Sequence, residues 1–444
     1  MSSPNSENAD RAPVPKVLIA TISAWRGEPS LHTLMNVFSC WDPEKIAVVY
    51  TRADLPQTDR AARFFQISES AVLRSVFRPW RKVGKETPAL NAEQPSAEAV
   101  AERQRYAKSG LSRTRFLNTC REIVWLLGRW KSPKLRQFVD SFEPDLLFFP
   151  LYPTIYMGRL QQYLAKMTGK PFVCYMFDDN YSYASCKSPI AYIHRFFLRR
   201  KIRWLCKNCR ELFVIVDKQK EEVDSLFGVN SHILTKGVRV DPTLADRPVK
   251  RPLRFVYTGN LLIGRGESLA LVADQLNELN TLAGRELATL EIYSGTQLPE
   301  ELDKRLNRGS VRRCGFVPRS EVARIQCEAD VALFVEALEG RKVNTARLSF
   351  STKITDYLGN GKCILAVGKE SFAPLAYFRK YDAALTACSA QELRAVLTEL
   401  LERPEIVLEY QKKALRCAKL NHDKDMMDER FLSVMRSALD RTAQ

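Results

Sequence analysis

An α/β protein with two open, doubly wound sheets is predicted by three observations: short continuous apolar runs, helix-period segments between them, and one break in that alternation. The chain has 444 residues, of which 45% are apolar, 27% charged and 10% aromatic. That length suits two domains with sizeable cores, and the composition excludes a disordered, collagen-like or coiled-coil chain.

A strand covered by helices on both faces reads as an unbroken apolar run. The first is KVLIATIS at 16–23, followed by runs at 46–50, 145–150, 171–177 and 211–216, then 254–259, 290–295, 330–335 and 363–368. Between them, 154–168 carries Ile155, Leu160, Tyr163 and Leu164 at helical spacing, and 266–280 carries Leu269, Leu271, Val272, Leu276 and Leu279. Right-handed β-α-β units follow from that alternation. Three prolines and a charge cluster at 238–253 separate the two series. The expected domains are therefore 16–245 and 250–415, after a polar tail at 1–15 expected to be disordered. Residues 404–440 read as two helices with no strand between them, and 416–444 are expected to pack back on the N-terminal domain.

One connection is far longer than an ordinary loop: about 90 residues, 55–144, lie between the second and third runs. Its 84–104 stretch is rich in Pro, Ala and Glu, while 111–139 is amphipathic with helical period. An insertion of this size either serves a function or elaborates the fold.

The formal net charge is +17, from 68 Lys and Arg against 51 Asp and Glu. Residues 1–250 hold 39 basic and 25 acidic side chains, so most of the excess is N-terminal. Residues 187–210 contain eight basic residues and no acidic one, interleaved with Tyr192, Phe196, Phe197 and Trp204, and 74–85 repeats the mixture. On a helical projection Ile190, Ile193, Phe197 and Leu205 fall near one face, with Arg199, Arg200 and Arg203 mainly elsewhere. This fits either a core helix with a basic outer surface or an interfacial helix, which makes Arg199, Arg200, Arg203 and Trp204 candidates for a membrane or acceptor surface. No nucleic-acid-binding signature accompanies the charge, and nucleic acid is not an expected partner.

Eleven cysteines without a regular framework imply free thiols in a reducing, cytoplasmic setting. Cys206 and Cys209 form a single CxxC with no second pair, too little for a metal site, and no metal is expected. The N-terminal residues lack the apolar segment of a secretory signal, and no apolar run reaches the roughly 20 residues of a membrane span. A soluble or peripheral inner-face location is expected.

The chemistry is concentrated in the second half. The strand at 254–259 ends in Gly259-Asn260 and leads through LLIGRGESL into a helix, where a bare backbone, Arg265 and helix amides suit a phosphate. In SFSTKITDYLGNGKCILAVG at 349–368, Ser351 and Thr352 stand at an N-cap and Lys353 in the first turn. Asp356, one turn along, is placed to accept hydrogen bonds from ribose hydroxyls. A capped helix with a surface Lys and Asp pair is the plainer alternative.

These segments resemble the GT-B-fold glycosyltransferases, specifically family 4-like retaining enzymes that use nucleotide sugars. Arg265 stands at that family's phosphate-binding Lys, and Asn260 replaces its Arg. Cys314-Gly315-Phe-Val-Pro318 is similar to its Gly-x-Val-Pro element, and Ile354 to Lys362 to its Glu-Tyr-Leu-Ala-x-Gly-Lys stretch, with Asp356 at the ribose-binding Glu. Eight residues before Asp356, where the family has a second carboxylate, this chain has Leu348. Glu339-Gly340 resembles the family's Glu-Gly but lies 17 positions before Asp356. Gly27, after the first strand, matches a glycine loop that faces the donor diphosphate.

The resemblance implies two Rossmann-like domains facing across a cleft, C-terminal helices crossing between them, and donor binding by Gly27, Gly259, Asn260, Arg265, Ser351, Thr352, Lys353 and Asp356. It also implies transfer from a nucleoside diphosphate sugar to a glycan or lipid-linked acceptor without a metal or other cofactor, in polysaccharide or glycoconjugate synthesis. Asp178 and Asp179, at the carboxyl end of the 171–177 strand, are candidates for orienting the acceptor or taking its proton, and Glu339 for the catalytic carboxylate. A non-catalytic nucleotide-sugar or membrane-binding module and a nucleotide-sugar epimerase are the alternatives.

Overall fold

The computed structural model describes residues 14–27, 33–78, 80–81, 83–88, 115–246, 248–339 and 347–440. The tail at 1–13, most of the Pro-, Ala- and Glu-rich stretch, and Gly340 with the six residues after it lie outside the described residues.

The first series runs β1 (Val17–Thr21), α1 (Thr33–Val37), β2 (Ile46–Tyr50), β3 (Arg63–Gln66), α2 (Glu69–Phe77), β4 (Lys85–Thr87), α3 (Arg115–Leu127), α4 (Pro133–Phe142), β5 (Leu146–Pro150), α5 (Ile155–Thr168), β6 (Phe172–Met176), α6 (Pro189–Asn208), β7 (Glu211–Val214), α7 (Asp217–Phe227) and β8 (His232–Ile233). The second runs β9 (Leu253–Thr258), α8 (Arg265–Leu282), β10 (Ala288–Tyr293), α9 (Glu300–Arg305), β11 (Val311–Gly315), α10 (Arg319–Glu328), β12 (Val331–Val335), α11 (Thr352–Gly359), β13 (Cys363–Val367), α12 (Ala373–Tyr381), β14 (Leu385–Ala387), α13 (Ala390–Glu402), α14 (Glu405–Asn421) and α15 (Lys424–Asp440).

The strands form two sheets, ordered β4-β3-β2-β1-β5-β6-β7-β8 and β11-β10-β9-β12-β13-β14. Every residue of β1, β2, β5, β6, β12 and β13 is buried, as the unbroken apolar runs require. Parallel registers place Val17 opposite both Ile46 and Leu146, and Val331 opposite both Phe255 and Cys363. β4 adds an antiparallel edge to β3. In each sheet the order reverses once, between β1 and β5 and between β9 and β12, and ligands of open α/β sheets bind beyond the carboxyl ends of strands at such points.

Two compact units result, one of residues 1–176, 188–213 and 430–444, the other of 177–187 and 214–429. In the first, Phe431 of α15 packs among Phe38, Trp41, Phe148 and Phe213 with ring centroids 4.9 to 6.1 Å apart. In the second, α14 packs against α11 and β13, while Leu269, Val272 and Leu276 of α8 enter the core beside β9 and β10. Local signals set the helix ends: Ser68, Ser132, Ser188, Ser351 and Ser389 accept a backbone N–H as N-caps, and Gly169 and Gly228 end helices in the left-handed region. Among the described residues, no helix is long and apolar enough to cross a membrane.

Candidate active site

The switch point of the second sheet brings together the carboxyl ends of β9 and β12, and the phosphate-binding candidates cluster there. β9 ends at Thr258 and the chain turns at Gly259, whose φ is +139°. A side chain at Gly259 would collide with Lys353 Nζ. Gly264, at φ +83°, caps α8, and a Cβ on it would lie 2.7 Å from that of Ala337. Both positions need glycine, because Lys353 at one and Ala337 at the other approach closely in a backbone conformation that L side chains resist.

Arg265 opens α8 and is held on two sides. Its Nε and one terminal nitrogen donate to Glu336 at 3.0 and 2.7 Å, and the other donates to Asn260 Oδ1 at 3.0 Å. Asn260 thus supplies no charge of its own; it steadies Arg265. Its backbone carbonyl accepts from Tyr257 Oη at 2.7 Å. Lys353 Nζ donates to the Thr258 carbonyl and lies 5.0 Å from the Tyr257 ring centroid. Two cations, a glycine turn and the amino end of α11, capped by Ser351 with Thr352 as its first residue, therefore converge.

Burial, reinforced by the positive charge of Arg265 and partly opposed by Glu336, pushes the Lys353 ammonium down to about 8. The cation is present below that pH and lost above it. Affinity for a diphosphate is expected to be highest below pH 8 and to fall as pH rises through it. Binding near pH 8 should take up a proton, because a bound anion favours the ammonium. Calorimetry in buffers of different ionisation enthalpy measures that uptake; affinity flat from pH 7 to 9.5 would remove Lys353 from the binding site. Without ligand the sign reverses: the unfolded chain holds more protons above pH 8, so stability rises there with pH.

Asp356 is paired with the buried Lys236, a partner that no sequence signal pointed to. Burial raises the Asp356 carboxyl and the Lys236 ammonium pulls it back only in part. Asp178 and Asp179 meet the segment that leads into α11. Ser349 Oγ donates to Asp178 at 2.7 Å, and Arg347 Nε donates to Asp179 at 2.7 Å while its terminal nitrogens bridge to Glu222 at 2.6 and 2.7 Å. Burial pushes the Asp178 carboxyl up. It pushes Asp179 up as well, but hydrogen bonds from Ser182 and the charge of Arg347 outweigh it, so Asp179 stays below the usual range. Asp179 is thus bound into an ion pair, whereas Asp178 is the more basic of the two.

Glu339 is exposed, its backbone lying over the Gly264 turn. The buried carboxylate that faces Arg265 is Glu336, the first residue after β12. Leu348, at the position eight before Asp356, is in the core beside Ile354. Gly27 is exposed in the first unit, in the turn after β1, at φ +69° with its N–H on the Gln57 carbonyl at 3.1 Å. Of the surface candidates, Arg200 and Arg203 are exposed and Arg199 is half-buried. Trp204 is half-buried and stacks on Phe172 at 6.0 Å, so it packs the domain rather than presenting its ring. Burial raises the Cys206 thiol well above its ordinary value, which leaves it unreactive.

No protein-family model matches the sequence, and no curated protein sequence does. Solved structures do. Anabaena Alr3699/HepE, solved in complex with UDP, aligns with a TM-score of 0.59 at 12% identity over 95% of this chain and 100% of that one. The α,α-trehalose 6-phosphate synthase of Burkholderia multivorans aligns with a TM-score of 0.58 at 12% identity, covering 97% and 98%. An E. coli trehalose-6-phosphate protein bound with UDP-2-fluoro glucose aligns at 0.56 and 12%, covering 94% and 98%. The likeness shows the fold, two parallel-sheet α/β domains of the GT-B class, as the sequence predicted.

Proposed function

We propose that this chain is a glycosyltransferase that moves a sugar from a nucleoside diphosphate sugar to a glycan or lipid-linked acceptor. The observation that carries the reading is the convergence of Arg265, Lys353 and the α11 amino end on the glycine turn after β9, at the sheet's switch point. Departure of a nucleoside diphosphate needs positive charge aimed at the leaving phosphate, and preorganised donors there supply a large share of catalysis. In this reading Arg265 and Lys353 provide that charge without a metal, and Ser351 and Thr352 fix the helix end. Asp356 receives the ribose hydroxyls, exchanging part of its pairing with Lys236. Gly27 leaves room at the diphosphate, and Asp178, raised by burial, receives the acceptor's proton or orients its hydroxyl, with Asp179 holding the segment in place. Retention of configuration, a role in polysaccharide or glycoconjugate synthesis, and a cytoplasmic site at the inner membrane face complete the reading.

The neighbours solved with UDP and UDP-glucose make UDP-sugars the first donors to test. Thermal melting across UDP-, GDP- and ADP-sugars is expected to show stabilisation by one nucleotide class only, because a ligand that binds the folded state alone raises its apparent stability. At 100 times Kd the gain is about 2.7 kcal/mol. Nucleotide release should then appear only when an acceptor is added. Release without acceptor, or product without release, would point to a hydrolase or an epimerase. The buried Leu348 in place of a carboxylate favours a second reading, a module that binds donor without turnover. Stabilisation by a donor with no nucleotide release under any acceptor would select it.

A further inference from the structure

Large apolar side chains are exposed unevenly. Of the fifteen exposed among the described residues, eleven lie on three segments of the first unit, and the other four are single residues elsewhere. On α2 and the turn after it, Leu73, Phe77 and Trp80 are 41%, 75% and 76% exposed. On α3, Ile123, Leu126 and Leu127 form an i, i+3, i+4 stripe opposite the buried Trp125. On α6, Ile190, Ile193 and Phe197 stand beside Tyr192 and Phe196, each about half exposed, while the opposite face buries Leu198, Ile202 and Leu205.

The three segments are neighbours. Arg121 of α3 donates to Glu69 of α2 at 3.0 Å, and Arg129 N–H donates to Ser75 Oγ at 3.0 Å, which aligns the two helices in the same direction with their apolar ends together. Glu122 of α3 contacts His194 of α6 at 3.5 Å while capping the amino end of α5. Arg74, Arg78, Arg81, Arg129, Arg200, Arg203 and Lys207 are exposed on the same segments. No exposed carboxylate lies among their described residues; Glu69 and Glu122 are half-buried in the contacts just given.

We infer that α2, α3 and α6 form a docking surface for an anionic lipid bilayer, with Phe77, Trp80, Leu126, Leu127, Phe196 and Phe197 entering the interface. Charge selects this occupant. Apolar side chains rimmed by Arg and Lys match an acidic headgroup layer over hydrocarbon, and Trp among arginines is the interfacial pattern. A second copy of the chain would meet the same positive rim and be repelled. A folded surface that kept so many large apolar groups in water without a partner would be unusual. Two helices of the long insertion, α2 and α3, thereby gain a function. The inference deepens the acceptor side of the transfer reading and rests on it only for its purpose, since lipid binding is measured without donor or transfer.

The test is co-sedimentation of the full chain with phosphatidylcholine vesicles and with vesicles containing 30% phosphatidylglycerol. Binding is expected on the acidic vesicles only, weakening as salt rises, and falling at least tenfold in F196S/F197S and in R78E/R81E. The altered side chains are exposed, so both variants should keep the parent melting temperature and nucleotide stabilisation, which separates this inference from the donor site. No binding to acidic vesicles, or equal binding by the variants, would overturn it. So would a concentration-dependent dimer in sedimentation that F196S/F197S dissolves, which would assign the surface to a second copy.

Discussion

Arg265→Ala and Lys353→Ala are each expected to lower kcat/KM for sugar transfer about 100- to 1000-fold, the range seen when one preorganised donor to a developing charge is removed. Lys353→Ala removes a half-buried cation whose ammonium, among the described residues, meets a carbonyl and an aromatic face and has no carboxylate hydrogen-bonded to it, so its loss should appear in nucleotide affinity and turnover with little change in melting temperature. Arg265→Ala also strips the buried Glu336 of its counter-charge, so it should cost about 3 kcal/mol of stability as well, the lower end of the range for breaking a buried pair because the guanidinium is 20% exposed. The double variant should lose less than the sum, since both cations act on one diphosphate. Binding of UDP or another stabilising nucleotide, unchanged in both single variants, would sink the assignment of this site.

How much of this was legible follows from what each feature depends on. Strands buried on both faces write themselves as apolar runs, so β1, β2, β5, β6, β9, β12 and β13 could be read directly. Edge strands need no such run. β4 is the polar Lys85–Thr87, β8 has two residues, and β11 is Val-Arg-Arg-Cys-Gly with its side chains largely exposed. These were invisible to hydropathy. Gly259, Arg265, Ser351 and Lys353 could be singled out because a bare turn, a cap and a helix end are local devices that a short stretch of sequence shows.

The partners were not legible because they lie far off in the chain. Lys236 reaches Asp356 across 120 residues, Arg347 reaches Asp179 across 168, and Glu336 reaches Arg265 across 71. Glu336 alone carried a usable signal, being the first polar residue beyond a fully buried strand, where the sheet's ligand side begins. The helical projection of α6 left a related question open: Ile190, Ile193, Phe197 and Leu205 fall near one face, yet Leu205 is buried and the other three are about half exposed, because the helix rests on the domain through Leu198, Ile202 and Leu205. Periodicity shows that a helix has an apolar stripe; only packing shows whether that stripe is the inner one.

Glu336→Ala should lower kcat/KM about 100-fold, and Glu336→Gln should recover all but roughly tenfold of activity, because the carboxylate is expected to act by holding Arg265 rather than by its charge. The bidentate pair fixes the guanidinium at 2.7 and 3.0 Å while Asn260 holds its third corner. Alanine frees the side chain to swing out of register, and a misplaced cation loses most of its effect on a leaving phosphate. Glutamine keeps one acceptor oxygen for Arg265 and removes the competing negative charge, so nucleotide affinity should hold or improve while turnover falls. A positioning role therefore predicts that kcat falls while KM holds or falls in Glu336→Gln, and that kcat falls while KM rises in Glu336→Ala. If glutamine is instead as inactive as alanine with affinity intact, the negative charge itself is needed. Glu336 would then supply the charge that Leu348 lacks, stabilising the positive character that grows on the transferred sugar. Glu339→Gln, three residues on, should leave both constants within about twofold, because its side chain is exposed and the substitution keeps the backbone that lies over the Gly264 turn.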